Sequence, residues 1–563
     1  MGWGGKLGLA AIVCWFAFGA LGAWAANCTV VQAHAPTAAE AAFLSADYDK
    51  AVSLYRAALK ETPDDAELTA GLVRVLLREQ KTQEAADTVE AALKTNANSA
   101  ALLTAKAEVE YRDGTPWEAP GAIALALKAD PCLPRAHLVL ARVARLTSRY
   151  AVAKSQILLA HQLDPSDPDI RGEWIWTLPT RERMAELEKY MADKTGDDAE
   201  EKHREELGLE RMKKQLSEPH KACRLTSTAT STEIPFVALL YDATHIRAFG
   251  LEVKLNHHSS QLQIDTGAGG LLVSRSVAQH AGLTPFSEAV IGGVGDKEDD
   301  KGYSAFADSI QIGNLEFHDC AVGVVANKRF PDGDGLIGMD VFSKFLVTLN
   351  YPGRRLKLDP LPPRPGEAAT APKLGTGDTD DDEGPAKGAS GADAAAGKPT
   401  AAKANPAVAE AKNGPFDRYI APEMKDYTPV YRVGHGLMLP VALNQSKLKL
   451  FILDTGAWAT LISPGAAREV TKVYADDSFH VRGLNGEVQK TFSADEVTFA
   501  FAHVAQKIRD VPSFDTSKLS KDFGLEISGL LGARTLSLTT IHIDYRDGLV
   551  KFDFDPKTVP TVP

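Results

Sequence analysis

Two stretches of this chain are copies of one another, and no other feature limits its folding so tightly. IDTGAGGLLVS at 264–274 returns as LDTGAWATLIS at 453–463, and GLIGMDVFSKFLVTLNY at 335–351 returns as GLLGARTLSLTTIHIDY at 529–545. Each copy keeps one order: apolar strand, Asp-Thr-Gly-Ala, a short apolar run to Ser, a Gly-rich β region, then Gly-apolar-apolar-Gly. The closing Tyr falls sixteen residues after the first Gly of that last element in both. The flanking sequence consists of short alternating or apolar runs (FGLEVKLN, LKLFILDTGA, TTIHIDY) separated by Gly, Asn and Asp, which is strand and turn chemistry. Two all-β units of one design are predicted, at 234–360 and 427–556.

One Asp-Thr-Gly alone is a weak signal, because Asp and Gly are ordinary turn residues. Two copies, each entered from an apolar strand and followed 70 and 75 residues later by the same Gly-containing element, are not. The chemistry available to such a pair is specific. Two carboxyls held about 3 Å apart cannot both ionise, so they share a proton and split their pKa values. One can then take a proton from water while the other protonates a carbonyl oxygen or leaving amine. The Gly after Thr permits the tight turn that aims each carboxylate inward.

These copies resemble the retropepsin-like aspartic peptidases, half-sized relatives of pepsin in which each closed β lobe contributes one Asp. The resemblance implies that Asp265 and Asp454 are catalytic and that the Thr266 and Thr455 hydroxyls interlock beneath them. It implies that Gly267 and Gly456 complete the motif and that Gly338 and Gly532 pack behind the active loops. It places flaps within Ile291–Ser304 and Arg482–Phe492. Because both lobes lie in one chain, an intramolecular pseudo-dimer with Asp265 facing Asp454 is the simplest arrangement, with homodimers pairing like lobes as the alternative. The copies differ at Gly269 against Trp458 and at Asp340 against Arg534; Trp458 is expected to fill core or shape a specificity pocket, and Arg534 to be a surface charge.

Ahead of the β units, 36–217 repeats with a period of 34 residues: ALKETP at 58–63, ALKTNA at 92–97, ALKADP at 126–131 and AHQLDP at 160–165. Small residues recur in register at Ala51, Ala85, Ala119 and Ala153, and again at Ala58, Ala92, Ala126 and Ala160. The spacing of seven within each unit is two helical turns, so one helix per unit presents a small-residue face to its neighbours. Pro63, Pro131 and Pro165 stop that helix. The pattern looks like tetratricopeptide repeats, which stack into a superhelix with a groove for peptides or partner proteins. Sequence without the repeat, from 170 to 217, is expected to cap the stack. Between the lobes, 361–426 is dominated by Pro, Ala, Gly, Lys and Asp, with an acidic run at Asp378 to Glu383; it reads as a disordered linker. About 55 residues of coil reach some 40 Å, ample for touching lobes.

The start, MGWGGKLGLAAIVCWFAFGALGAWA, places Lys6 ahead of an apolar run and ends small-x-small at Ala23-Trp24-Ala25, the layout of an export signal at 1–25. The membrane is involved only if that segment stays uncleaved. Export, periplasmic or secreted and by resemblance in a bacterial envelope, is the expected location. Cys28, Cys132, Cys223 and Cys320 show no metal-ligand spacing and leave room for one or two disulfides in an oxidising compartment. His257-His258 has no partner spacing either, and no metal or cofactor is expected. The net charge of −12 without a basic run argues against nucleic acid. The reading is an exported aspartic endopeptidase with a repeat domain that recruits a peptide or protein substrate or a partner. Its alternative is a non-catalytic peptide-binding or scaffold protein on the same fold.

Overall fold

A computed structural model describes residues 28–32, 35–193, 199–218, 222–240, 246–297, 300–325, 330, 333–365, 374, 417–446, 448–476 and 478–554. The expected signal at 1–25 and most of the expected linker lie outside them. The N-terminal part is helical. Four antiparallel pairs run from Ala38–Leu44 with Tyr48–Glu61 through Ala66–Arg78 with Thr82–Thr95 and Ala100–Arg112 with Ala119–Ala129 to Pro134–Leu146 with Tyr150–Leu163. The second helices carry the repeating alanines, and Ala51, Ala85, Ala119 and Ala153 are all buried at their starts. Local capping sets the helix starts: Thr37 and Glu40 form a reciprocal capping box, Asp65 and Ser99 accept from the first-turn amides, and Pro134 stands in the first turn. Helices Pro168–Ile175, Thr180–Asp193 and Ala199–Ser217 follow. On the inner face Asp169 pairs with Arg74 at 2.7 Å and with Arg78 at 2.5 Å, while Glu173 bonds Arg142 at 3.1 Å and Arg145 at 2.5 Å. These ion pairs tie the post-repeat helix Pro168–Ile175 to the stack.

Apart from a two-stranded ribbon of Arg482–Gly483 and Gly486–Glu487, the β units each form one sheet of their own and share another. Lobe 1 is built on a nine-stranded sheet and lobe 2 on an eight-stranded one. In each, the strand that leads into Asp-Thr-Gly lies parallel to the Gly-apolar-apolar-Gly strand: Leu262–Asp265 beside Gly335–Gly338, and Phe451–Leu453 beside Gly529–Leu531. That pairing is why the two elements travel together in both copies. The shared sheet has six strands, ordered Thr428–Pro429, Leu549–Phe554, Thr539–Asp544, Phe345–Asn350, Arg355–Pro360 and Thr232–Pro235. At its centre one strand from each lobe pairs antiparallel, Thr348 opposite His542. Their inward residues, among them Val347, Leu349, Ile541 and Ile543, are buried in one apolar core that runs through both lobes. Continuous backbone pairing and a common core make the lobes one packing unit.

Ordered structure extends into both ends of the expected 361–426 linker. Arg364 and Asp547 form a buried ion pair, and the same Asp547 carboxylate accepts from Tyr419 N at 2.8 Å while its carbonyl accepts from Arg418 Nε at 2.8 Å. The segment therefore leaves and re-enters the fold at one residue of lobe 2. Composition missed this because single side chains, not an apolar run, anchor the ends.

The helical part is docked rather than strung on. Leu146 is buried among Met438, Leu450, Ile452 and Ile527 of lobe 2. Arg112 Nη1 donates to Gly524 O at 2.7 Å, and Glu526 N donates to Arg112 O at 2.8 Å. Gly114 sits at φ 71°, and a side chain there would meet Glu526 O at 2.5 Å, so only glycine satisfies both the turn and the contact. Asp417 caps the helix Tyr150–Leu163, accepting from Ala151 N at 3.1 Å and Val152 N at 3.3 Å. At the far end of the helical part Lys214 donates to Phe286 O of lobe 1. Disulfides Cys28–Cys132 and Cys223–Cys320 staple the chain start to the repeats and the entry segment to lobe 1.

Because the shared sheet, and not the linker, joins the lobes, a chain cut at a protease site engineered within 385–410 is expected to elute as one particle of unchanged size. Separation of the two fragments on gel filtration without denaturant would refute that.

Candidate active site

The buried residues just ahead of each motif, Leu262 and Ile264 in lobe 1 and Ile452 and Leu453 in lobe 2, anchor the strands that deliver Asp265 and Asp454 to the lobe boundary. Below the carboxylates the threonines interlock. Thr266 N donates to Thr455 Oγ1 at 3.0 Å, and Thr455 N donates to Thr266 Oγ1 at 2.9 Å. Each hydroxyl then donates across the boundary, Thr266 to Leu453 O at 2.7 Å and Thr455 to Ile264 O at 3.3 Å. Both side chains are buried, so losing one hydroxyl strands amide and carbonyl groups at roughly 1–3 kcal/mol each.

Each motif glycine is crossed by the opposite aspartate. A Cβ at Gly267 would lie 2.7 Å from Asp454 Cγ, and one at Gly456 would lie 2.3 Å from Asp265 Oδ2. No other residue allows that approach. Behind the loops, a Cβ at Gly338 would meet Ala268 O at 2.3 Å and one at Gly532 would meet Ala459 O at 2.2 Å. Asp265, Thr266 and Gly267 thus meet Asp454, Thr455 and Gly456 between the lobes, while Gly338 and Gly532 each pack behind the loop of their own lobe.

The carboxyls face one another across the motif glycines and differ in environment. Burial, followed by the neighbouring Asp454 charge, pushes Asp265 well above the usual carboxylate range. Burial also raises Asp454, but the Ala457 and Gly456 amides oppose it, at 3.0 and 2.9 Å. The pair titrates as a unit that shares a proton, both carboxyls being raised above the ordinary range by burial. Tyr351, the closing Tyr of copy one, is buried, and burial raises its pKa.

The unequal positions resolve differently. Trp458 is not core: it is 54 % exposed. Arg534 is exposed, as a surface charge would be. Its counterpart Asp340 is buried and accepts from Gly270 N at 3.0 Å, fixing the lobe 1 loop. Lobe 2 does the same work with hydroxyls, Thr460 and Thr535 lying 2.7 Å apart while Gly532 N donates to Thr460 at 3.1 Å.

The two stretches expected to hold flaps meet tip to tip. Asn485 N donates to Val294 O at 2.9 Å, Lys297 N donates to Asn485 O at 3.0 Å, and Gln489 N donates to Asp296 Oδ2 at 2.6 Å. Sequence reasoning nominated none of these residues. It also missed His435, whose ring covers Gly269; the only signal was the unequal Gly269 and Trp458. Among the described residues no cluster of His, Cys, Asp and Glu could hold a metal ion.

A duplicated Asp-Thr-Gly lobe closed on an interlocked threonine floor defines an aspartyl-protease-like region behind a tetratricopeptide-like helical stack. Residues 251–344 match the family model described as "gag-polyprotein putative aspartyl protease", and residues 42–109 match a tetratricopeptide repeat model. Among solved structures the chain is similar to the aspartic proteinase from Irpex lacteus, at 11 % identity and TM-score 0.33, covering 59 % of this chain and 100 % of that one. It is also similar to a thermophilic TPR protein in Thermus thermophilus, at 18 % identity and TM-score 0.25, covering 31 % of this chain and 94 % of that one. No curated protein matches.

Because Asp265 is raised in the fold, its neutral form favours folding at acid pH, and that contribution is lost as pH rises through the range where the unfolded chain ionises freely. Asp265→Asn removes this titration. The melting temperature of the variant minus that of wild type is expected to be more positive at pH 7 than at pH 4; a difference independent of pH would contradict the raised carboxyl.

Proposed function

We propose that this protein is an exported aspartic endopeptidase with one catalytic dyad, Asp265 and Asp454, formed within a single chain. The observation that carries the reading is reciprocal: each motif glycine is crossed by the opposite aspartate above a doubly interlocked threonine pair. In the reaction the ionised carboxylate of the pair takes a proton from water as the water oxygen bonds to the scissile carbonyl carbon. The protonated member gives its proton to the carbonyl oxygen. Collapse of the diol transfers a proton to nitrogen, breaks the C–N bond and leaves one proton on the pair. This is general acid and base catalysis without metal or covalent intermediate, a mechanism worth about 10² to 10⁴ in rate per positioned group.

The roof of paired tips would hold an extended segment over the dyad, so an unfolded stretch of polypeptide is the substrate class. The helical stack would recruit the protein that carries it, a role supported by the tetratricopeptide match. Two disulfides support an oxidising compartment, in keeping with the apolar N-terminal stretch. Among the described residues no helix is long and apolar enough to cross a membrane.

Purified protein, run as a monomer and incubated with an unfolded protein between pH 4 and 8, is expected to cut it. Asp265→Asn and Asp454→Asn are each expected to lose at least about 100-fold in rate. Binding of the unfolded protein without cleavage would replace this reading with the peptide-binding scaffold.

A further inference from the structure

The inner face of the helical stack carries a row of arginines that the repeat itself lines up. Arg78 and Arg112 stand 34 residues apart, in one register of consecutive repeats, and Arg74, Glu108 and Arg142 share another. Residues four apart on a helix lie on one face, so Arg74 with Arg78, and Glu108 with Arg112, form a stripe across the helices Ala66–Arg78 and Ala100–Arg112. Arg135, Arg142 and Arg145 extend it along Pro134–Leu146. In a chain of net charge −12 this is a local excess of positive charge that overall composition hides.

The carboxylates on this face are taken up by part of the row. Asp169 accepts from Arg74 at 2.7 Å and from Arg78 at 2.5 Å. Asp167 accepts from Arg135 at 3.0 Å, and Arg135 also pairs with Glu108. Glu173 accepts from Arg142 Nε at 3.1 Å and from Arg145 at 2.5 Å. Arg112 is left out: among the described residues its guanidinium has no carboxylate partner, and its Nη1 donates to a neutral group, Gly524 O of lobe 2, at 2.7 Å. Arg78, Arg112 and Arg142 converge on a pocket whose walls include Leu77, Tyr111 and Val139. Burial first, and then the charges of Arg142 and Arg78, hold Arg112 below the usual arginine range. A guanidinium so placed is costly to keep charged unless an anion joins it.

We propose that this pocket binds the carboxylate of an Asp or Glu side chain in an extended polypeptide segment laid along the groove, held by Arg78, Arg112 and Arg142. Two observations choose a carboxylate. The pocket has a free volume of about 20 Å³, where a single water needs roughly 10–15 Å³, so two carboxylate oxygens fit and a tetrahedral phosphate does not. The anions already seated on the row are carboxylates, a match to the planar guanidinium fork. The bound acid lies beside the contact of Arg112 with Gly524, at the junction of the stack and lobe 2. This rests on the recruiting role proposed for the stack and deepens it, because it names an acidic segment as what is recruited; catalysis is not needed for it.

The test is the affinity of full-length Asp265→Asn protein, chosen so that the probe is not consumed, for a fluorescent Glu-rich peptide blocked at both ends, against its Gln counterpart. The Glu peptide is expected to bind at least about tenfold more tightly, and to weaken as salt is raised. Arg112→Gln and Arg78→Gln, each in that background, are expected to lose about tenfold, the order of one hydrogen bond to a charged group. Arg56→Gln removes an exposed arginine that pairs with Glu84 outside the pocket, and is expected to leave the affinity unchanged. Equal affinity for the Glu and Gln peptides overturns the proposal, as does undiminished affinity in either pocket variant. An equal loss in Arg56→Gln would mean diffuse surface charge and overturn it as well. Displacement by inorganic phosphate at the peptide's own concentration would overturn the carboxylate assignment. Should Arg112→Gln fail to fold, Arg78→Gln decides alone, since that side chain is 40 % exposed and its partner Asp169 is still held by Arg74. If wild type cuts nothing, the peptidase reading fails by itself and the binding result still decides this one.

Discussion

The rest of this molecule depends on the reciprocal bonding of Thr266 and Thr455. Each amide donates to the other hydroxyl, and each hydroxyl donates to the residue ahead of the opposite aspartate. Every partner is buried, so the four bonds form together or leave costly orphans. That fixes the separation and tilt of the lobes at the point where the carboxyls meet. The glycines at 267 and 456 are the steric condition for it, and the shared six-stranded sheet supplies the apolar burial that keeps the arrangement closed. Raised carboxyl pKa values follow, since two buried acids this close cannot both be charged.

Much of this was legible in the chain because duplication turns a weak motif into a strong one. The β lobes, the aspartates, the threonines and the four glycines all follow from comparing one copy with the other, and the helical stack follows from its 34-residue period. What escaped was long-range and singular. His435 looks like a turn residue until lobe 2 folds against lobe 1, and the pairing of Val294 with Asn485 joins segments with no distinctive residues. Trp458 was expected to fill core or to shape a specificity pocket, and it stands largely in solvent, so it does not fill core. The linker ends escaped because Arg364 and Tyr419 find Asp547 by charge and hydrogen bonding, which composition does not encode.

The helical stack and the lobes form a continuous body. Leu146 enters a lobe 2 core, and Arg112 holds the carbonyl beside Phe523, which packs against His435, the ring that covers Gly269 of lobe 1. The far end of the helical part reaches the strand Thr284–Ile291 of lobe 1 through Lys214 and Phe286. Under the proposed peptidase reading, a stack docked this way would hold a recruited protein close to the lobes.

The central claim is that one chain makes one site from both aspartates. An equimolar mixture of Asp265→Asn and Asp454→Asn, unfolded together and refolded, tests it most directly on an unfolded protein substrate. A single intramolecular dyad requires both aspartates in the same chain, so the mixture is expected to stay as inactive as either variant alone. Recovery of a sizeable fraction of wild-type activity, or full activity in one variant by itself, would mean that lobes pair between chains and would contradict the account.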